Sequence, residues 1–246
     1  MKKIGVLGGM GPEATILFQQ RLLSAVRAQD DQDHIPLLID MNPQVPSRLA
    51  YVLDQTIGAR DPGLVLGDMA QRLDKWGAEA LAMPCNTAHL FAEAIQRKTA
   101  LPFFNMVKLS VQTALAKSRA GDVIGILASP ALRKTQLFER YFQASERIII
   151  WPEDDVKMVQ AIRKIKTSGD TAEARSLLLE TSTELTQRGA NLQLVACSEF
   201  SMIQTSHDPS AAMIDTLDVL AEAVAQFALE AREPHRGVTA DATAKL

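Results

Sequence analysis

Short apolar runs alternate along this chain with longer stretches in which apolar residues return every three or four positions. "KKIGVLGG" is an unbroken apolar run ending in glycines, the pattern of a strand buried on both faces. "PEATILFQQRLLSAVRAQ" follows with helical spacing. Pro12 suits its first turn, and Glu13 faces the positive end of the helix dipole. "HIPLLIDMN" predicts a second strand, "DPGLVLGDMAQRLDKWGA" a helix and "EALAMPC" a third strand. "NTAHLFAEAIQRK" opens a further helix with Asn86 as N-cap, and "LPFFNM" is strand-like. Short strands alternating with helices specify an α/β fold with a parallel sheet.

The second half repeats this pattern. "GDVIGILAS" matches "KKIGVLGG", and "SLLLETSTELTQRGANLQLVACSEF" matches "GDMAQRLDKWGAEALAMPCNT". Leu73 and Leu185 each stand four residues before a Gly-Ala pair, and each pair's glycine stands eight before a cysteine. From Gly5 to Cys85 is 80 positions, and from Gly125 to Cys197 is 72. The prediction is two pseudo-symmetric, Rossmann-like parallel-sheet domains with the active site in the cleft between them. Residues 1–101 with 207–246 form the first domain, and 102–206 the second. A last apolar helix over 211–231 packs back on the first half, and the polar tail from Glu233 onward is frayed.

Composition narrows the function. A chain of 246 residues, 47% of them hydrophobic, has enough apolar material for two domains with real cores. A net charge of −3 leaves no footprint for nucleic acid and no polybasic membrane patch. No run reaches the roughly 18 apolar residues of a membrane span, and the start is too short and glycine-rich for a signal peptide. A soluble, cytoplasmic protein is expected. The two cysteines, Cys85 and Cys197, lack any Cys-x-x-Cys or His-x-x-x-His companion spacing, so no metal site is expected. A reducing cytosol argues against a structural disulfide.

Buried cysteines are usually inert. The same offset in two repeats argues for working thiols here. Open parallel sheets bind ligands beyond the carboxyl ends of their strands, where both cysteines fall. Two thiols facing one cleft suit removal of a proton from a carbon on one side and its return on the other, a cofactor-free epimerisation. Backbone N–H groups at Asn86 and Thr87 offer a place for a carboxylate. Ser198 offers a hydroxyl and Glu199 a carboxylate for an ammonium. His89, four residues after Cys85, shares its helical face, to tune the thiol or stand behind it. A competing motif is Gly9-Met10-Gly11-Pro12-Glu13-Ala14, a G-x-G-x-x-A dinucleotide pattern with Asp40 as the ribose-binding acid. It leaves the paired cysteines unexplained.

"GGMGPEAT", "MPCNTAH" and the Cys-Ser-Glu of "ACSEFS" resemble the aspartate/glutamate racemase family, nearest its aspartate racemase branch. The resemblance runs from residue 3 to about 231 and includes "DQDHIP" and "NPQVPSR". Ser198 departs from the threonine usual there but keeps a hydroxyl. The resemblance implies a racemase that needs no pyridoxal phosphate or other cofactor. Cys85 and Cys197 are then proton donor and acceptor, with Cys197 taking the proton from the L-isomer. Asn86, Thr87, Ser198 and Glu199 hold the head group, Met10 and its glycine turn close the cleft, and Ser129 adds a hydroxyl. Arg48 grips the substrate's side-chain carboxylate from a lid loop. A lysine of "IRKIKTSGD" assists, with Lys164 and Lys166 in competition and Lys164 preferred. The implied partner is a small acidic amino acid, and the implied assembly a homodimer. Other chemistry of the superfamily remains open: maleate isomerisation, hydantoin racemisation, malonate decarboxylation, or non-catalytic binding of an acidic amino acid.

Overall fold

In the computed structural model, residues 1–53, 60–203 and 207–230 are described. The first half runs β1 (Ile4–Gly8), α1 (Pro12–Ala25), β2 (Leu37–Met41), α2 (Arg48–Leu53), α3 (Pro62–Lys75), β3 (Ala80–Ala82), α4 (Ala92–Gln96) and β4 (Phe103–Phe104), and α5 (Met106–Ala116) leads out of it. The second half runs β5 (Val123–Leu127), α6 (Pro130–Thr135), α7 (Glu139–Phe142), β6 (Ile148–Ile150), α8 (Asp155–Ser168), α9 (Ala172–Gln187), β7 (Ala190–Val195), α10 (Ser198–Ser201) and β8 (Ala212–Asp215), followed by α11 (Thr216–Leu229). Each half holds one four-stranded, wholly parallel sheet, in the order β2-β1-β3-β4 or β6-β5-β7-β8. The predicted α/β duplication is therefore correct.

The repeated sequence pattern has a packing cause. A Cβ built on Gly5 would lie 2.9 Å from Ala78 Cβ and 3.2 Å from Leu73 Cβ. One built on Gly125 would lie 3.0 Å from Leu185 Cδ1 and 3.3 Å from Ala190 Cβ. In both halves the helix before the third strand, and the alanine that opens that strand's run, press on the bare backbone of the first strand.

Where the chain changes sheets is later than the sequence suggests. β4 lies just past the expected boundary at 101, yet pairs with β3; β8 lies past 206, yet pairs with β7. The crossing is made by the helices after these strands. α11 leaves the second sheet and packs Leu217, Leu220 and Val224 with Ile4, Val6 and Phe18 of the first half. α5 leaves the first sheet and packs Val107 and Val111 with Ile124, Ile126 and Leu194 of the second. The expected helix from 211 thus begins at Thr216, its first residues being strand β8. The residues from 231 on, including the polar tail, lie outside the described residues. Among the described residues no helix is long and apolar enough to cross a membrane.

Candidate active site

Cys85 leaves β3 and Cys197 leaves β7, the corresponding third strands of the two halves. Both are free thiols, 6% and 7% exposed. They line the same inner cavity of about 50 Å³, together with Met10, Ser47, Arg48, Leu49, Thr87, Ser129, Ile162, Lys166 and Glu199. A larger outer cavity of about 770 Å³ shares Met10, Ser47, Arg48, Lys166 and Glu199 with it. The inner space takes only a few atoms, so any larger ligand reaching both thiols spans the two.

The surroundings of the thiols differ. Cys197 donates its Sγ–H to Glu199 Oε2 at 3.0 Å. Glu199 Oε1 in turn meets Lys166 Nζ at 3.2 Å. Burial pushes the Cys197 thiol well above its ordinary pKa, and the negative charge of Glu199 pushes it further, with Lys166 opposing. Burial pulls Lys166 down, but Glu199, with the two thiols behind it, outweighs this and raises it. Cys197 thus rests as a thiol, hydrogen-bonded to the Glu199 carboxylate.

Behind Cys85 the hydrogen bonds run to backbone. His89 Nε2 accepts the N–H of Met106 at 3.0 Å, which leaves its proton on Nδ1. Nδ1–H donates to the Cys85 carbonyl at 2.9 Å. Burial lowers the His89 pKa to about 4, so the ring stays neutral, stacked on Phe103 with centroids 5.3 Å apart. His89 stands behind Cys85 and holds its main chain. The expected helix at 86 is a short 3-10 turn, Thr87–Phe91, before α4. Asn86 has helical φ and ψ (−56°, −49°) and makes no side-chain cap, because its amide donates instead to Thr216 Oγ1 at 2.8 Å.

Of the other candidates, Met10, Thr87 and Ser129 reach the inner cavity, and Ser129 also caps α6, accepting the Ala131 N–H. Arg48 reaches both cavities. Its guanidinium donates to the carbonyls of Val45, Pro46 and Met10, while its buried Nε has no partner among the described residues. Asn86 and Ser198 are buried beside the thiols but line neither cavity. Lys164 is not brought to the site: it pairs with Glu173 on the far side of α8, and Lys166 takes the cleft position. Asp40, the acid of the dinucleotide reading, is held by Arg72 at 3.0 and 2.7 Å.

Sequence reasoning missed Ser47, Leu49 and Ile162. A signal for Ile162 and for the lysine register was available. Met158, Ala161, Ile162 and Ile165 form the buried stripe of α8, which Lys166 continues at i+4 from Ile162. Gln160, Arg163, Lys164 and Thr167 form the opposite, polar stripe.

Matching parallel-sheet halves, each bringing one thiol to a shared cavity, define an α/β protein built on two four-stranded parallel sheets. The chain belongs to the Asp/Glu/Hydantoin racemase family, whose description matches residues 7–224, and is thereby an isomerase of racemase type. It is 23% identical over 224 residues to the broad specificity amino-acid racemase RacX of Bacillus subtilis (strain 168), covering 89% of this chain and 95% of that one. It is 28% identical over 200 residues to a glutamate racemase of Roseiflexus sp. (strain RS-1), covering 74% and 70%. The solved structure of Picrophilus torridus aspartate racemase superposes with a TM-score of 0.82 at 24% identity, covering 93% of this chain and 94% of that one.

Proposed function

We propose that the protein is a cofactor-independent racemase of acidic amino acids, interconverting L- and D-aspartate and possessing the same chemistry toward glutamate. The observation that carries this reading is the convergence of the only two cysteines on one cavity from matching strand ends. One thiolate takes the α-proton: the Cα–H bond breaks, an S–H bond forms, and the electron pair spreads into the α-carboxylate. The opposite thiol then releases its proton to the other face of the carbon. Cys197 serves the L-isomer and Cys85 the D-isomer.

The α-proton is weakly acidic without an imine, so the site must exclude water and stabilise the developing charge. Burial of both thiols supports the first requirement. Thr87 and Ser129 line the inner cavity with hydroxyls suited to the α-carboxylate, and Glu199 beside them offers a carboxylate suited to the ammonium. Arg48 and Lys166, the cations common to both cavities, suit a side-chain carboxylate in the outer one. An aspartate racemase, a glutamate racemase and a broad-specificity amino-acid racemase among the similar proteins support this substrate class.

The test is incubation with L-aspartate, and separately L-glutamate, in D₂O under reductant, following α-proton loss by NMR. Loss of signal that Cys85→Ser and Cys197→Ser each abolish is expected. No exchange with either amino acid, in folded and reduced protein, overturns the reading.

A further inference from the structure

The two thiols are tied to one another through α11. Thr216, the first residue of that helix, is fully buried. Its hydroxyl donates to the Val195 carbonyl at 2.9 Å and accepts from Asn86 Nδ2 at 2.8 Å. A hydroxyl has one proton, and Val195 takes it, so Asn86 must present its nitrogen; this fixes the amide orientation. Val195 ends β7 two residues before Cys197, and Asn86 directly follows Cys85. One side chain therefore joins the exits of the two cysteine-bearing strands, which stand in different sheets. The helix start is itself anchored. Asp215 accepts from the Leu217 N–H at 2.9 Å and from Ser201 Oγ at 2.7 Å, and Ser201 closes the short helix that Cys197 precedes.

We propose that Thr216 is a positioning residue whose two hydrogen bonds set the spacing of Cys85 and Cys197 across the cleft. The inference rests on the two-thiol racemase reading. Inversion needs both sulfurs within reach of one α-carbon, from opposite faces. If the spacing slips, one thiolate still removes the α-proton while the other thiol no longer reaches the carbanion. The newly formed S–H then exchanges with solvent, and the same sulfur returns a deuteron to the face it left. Mis-spacing therefore converts inversion into exchange with retention.

The experiment compares wild type, Thr216→Val, Thr216→Ala and Thr216→Ser with L-aspartate in D₂O. Two quantities are read: D-aspartate formed, by chiral chromatography, and deuterium in the recovered L-isomer, by NMR. Their ratio does not depend on how much of a sample is folded, and the alanine variant keeps the test available if the valine variant folds poorly. Both hydroxyl-less variants are expected to lose inversion on the order of 10- to 100-fold, the scale of an ångström-size misplacement, and to gain exchange per inversion. Thr216→Ser, which keeps the hydroxyl, should keep the wild-type ratio. A ratio unmoved in the valine and alanine variants, or moved equally in the serine variant, overturns the inference while leaving the racemase reading intact. Wild type that neither exchanges nor inverts overturns that reading, and the inference with it.

Discussion

Cys197 and Cys85 illustrate how one residue type acquires different character from its neighbours. Glu199 raises Cys197 by its charge and by accepting the thiol's hydrogen bond, while Lys166 works against it. A two-thiol reaction runs with one sulfur ionised and the other protonated, and fails once both are ionised. With Cys197 raised, that second ionisation falls at high pH, so the descending limb of the rate profile is displaced upward. Glu199→Gln removes the charge and leaves Lys166 without its carboxylate partner, and both changes favour the thiolate. The expected outcome is a descending limb at lower pH than in wild type, read from kcat/KM for aspartate across the alkaline range. An unmoved limb would mean that Glu199 does not govern this thiol. The pairing of the cysteines was legible from their shared offset after Gly-Ala. The bond from His89 to the Cys85 carbonyl was not, because the Met106 N–H that sets its tautomer arrives from beyond β4.

At the scale of elements, the register of α8 decides which lysine faces the cleft. Two residues along a helix turn the side chain by about 200°, so Lys164 and Lys166 cannot share a face. Lys166→Ala is expected to raise the KM for aspartate roughly tenfold or more, the worth of a hydrogen bond to a charged group. Lys164→Ala, which removes an exposed pair with Glu173, should leave it nearly unchanged. Steady-state kinetics on the two variants tests this, and equal effects would contradict the assignment. Strands buried on both faces were legible because they read as unbroken apolar runs, and β1 and β5 were recognised so. β8 was not, since "AAMID" joins without interruption onto the apolar face of α11 and no turn residue separates them. The capping of α11 by Asp215, two residues before Leu217, was the signal of that boundary.

Across the whole molecule, two buried groups impose opposite pH dependences on folding. His89 ionises near 4 in place of 6.5, so between these values the unfolded chain binds a proton that the folded one refuses, and stability rises with pH. Asp215 is raised from 3.8 to about 6 by burial, against the bonds from Leu217 and Ser201 and the charge of Arg21. Between those values the folded form keeps a proton that the unfolded chain releases, so stability falls as pH rises. Each effect is on the order of 3 kcal/mol, and across pH 4 to 6 they oppose one another. Relative to wild type, Asp215→Asn should tilt the stability profile upward with pH and His89→Gln should tilt it downward. Urea midpoints measured from pH 4 to 7 would show this, and parallel profiles for all three proteins would refute it. The return of α11 to the first half was expected from the sequence; the sheet membership of β4 and β8 was not, because each strand pairs in one sheet while the helix that follows it packs on the other half.

The unlike settings of the two thiols carry a thermodynamic consequence. Enantiomers have equal free energy in water, so an enzyme that interconverts them works at an equilibrium constant of one. Its kcat/KM must then be identical from either side, whatever residues surround the carbon. A frame that gives Cys197 a hydrogen-bonded carboxylate, and sets a ring behind the backbone of Cys85, cannot make the catalyst faster in one direction at low substrate. It can make one enantiomer bind more tightly and turn over more slowly in the same proportion. The asymmetry of the site would then be visible only under saturation, as a matched inequality of kcat and KM between the two hands of the substrate.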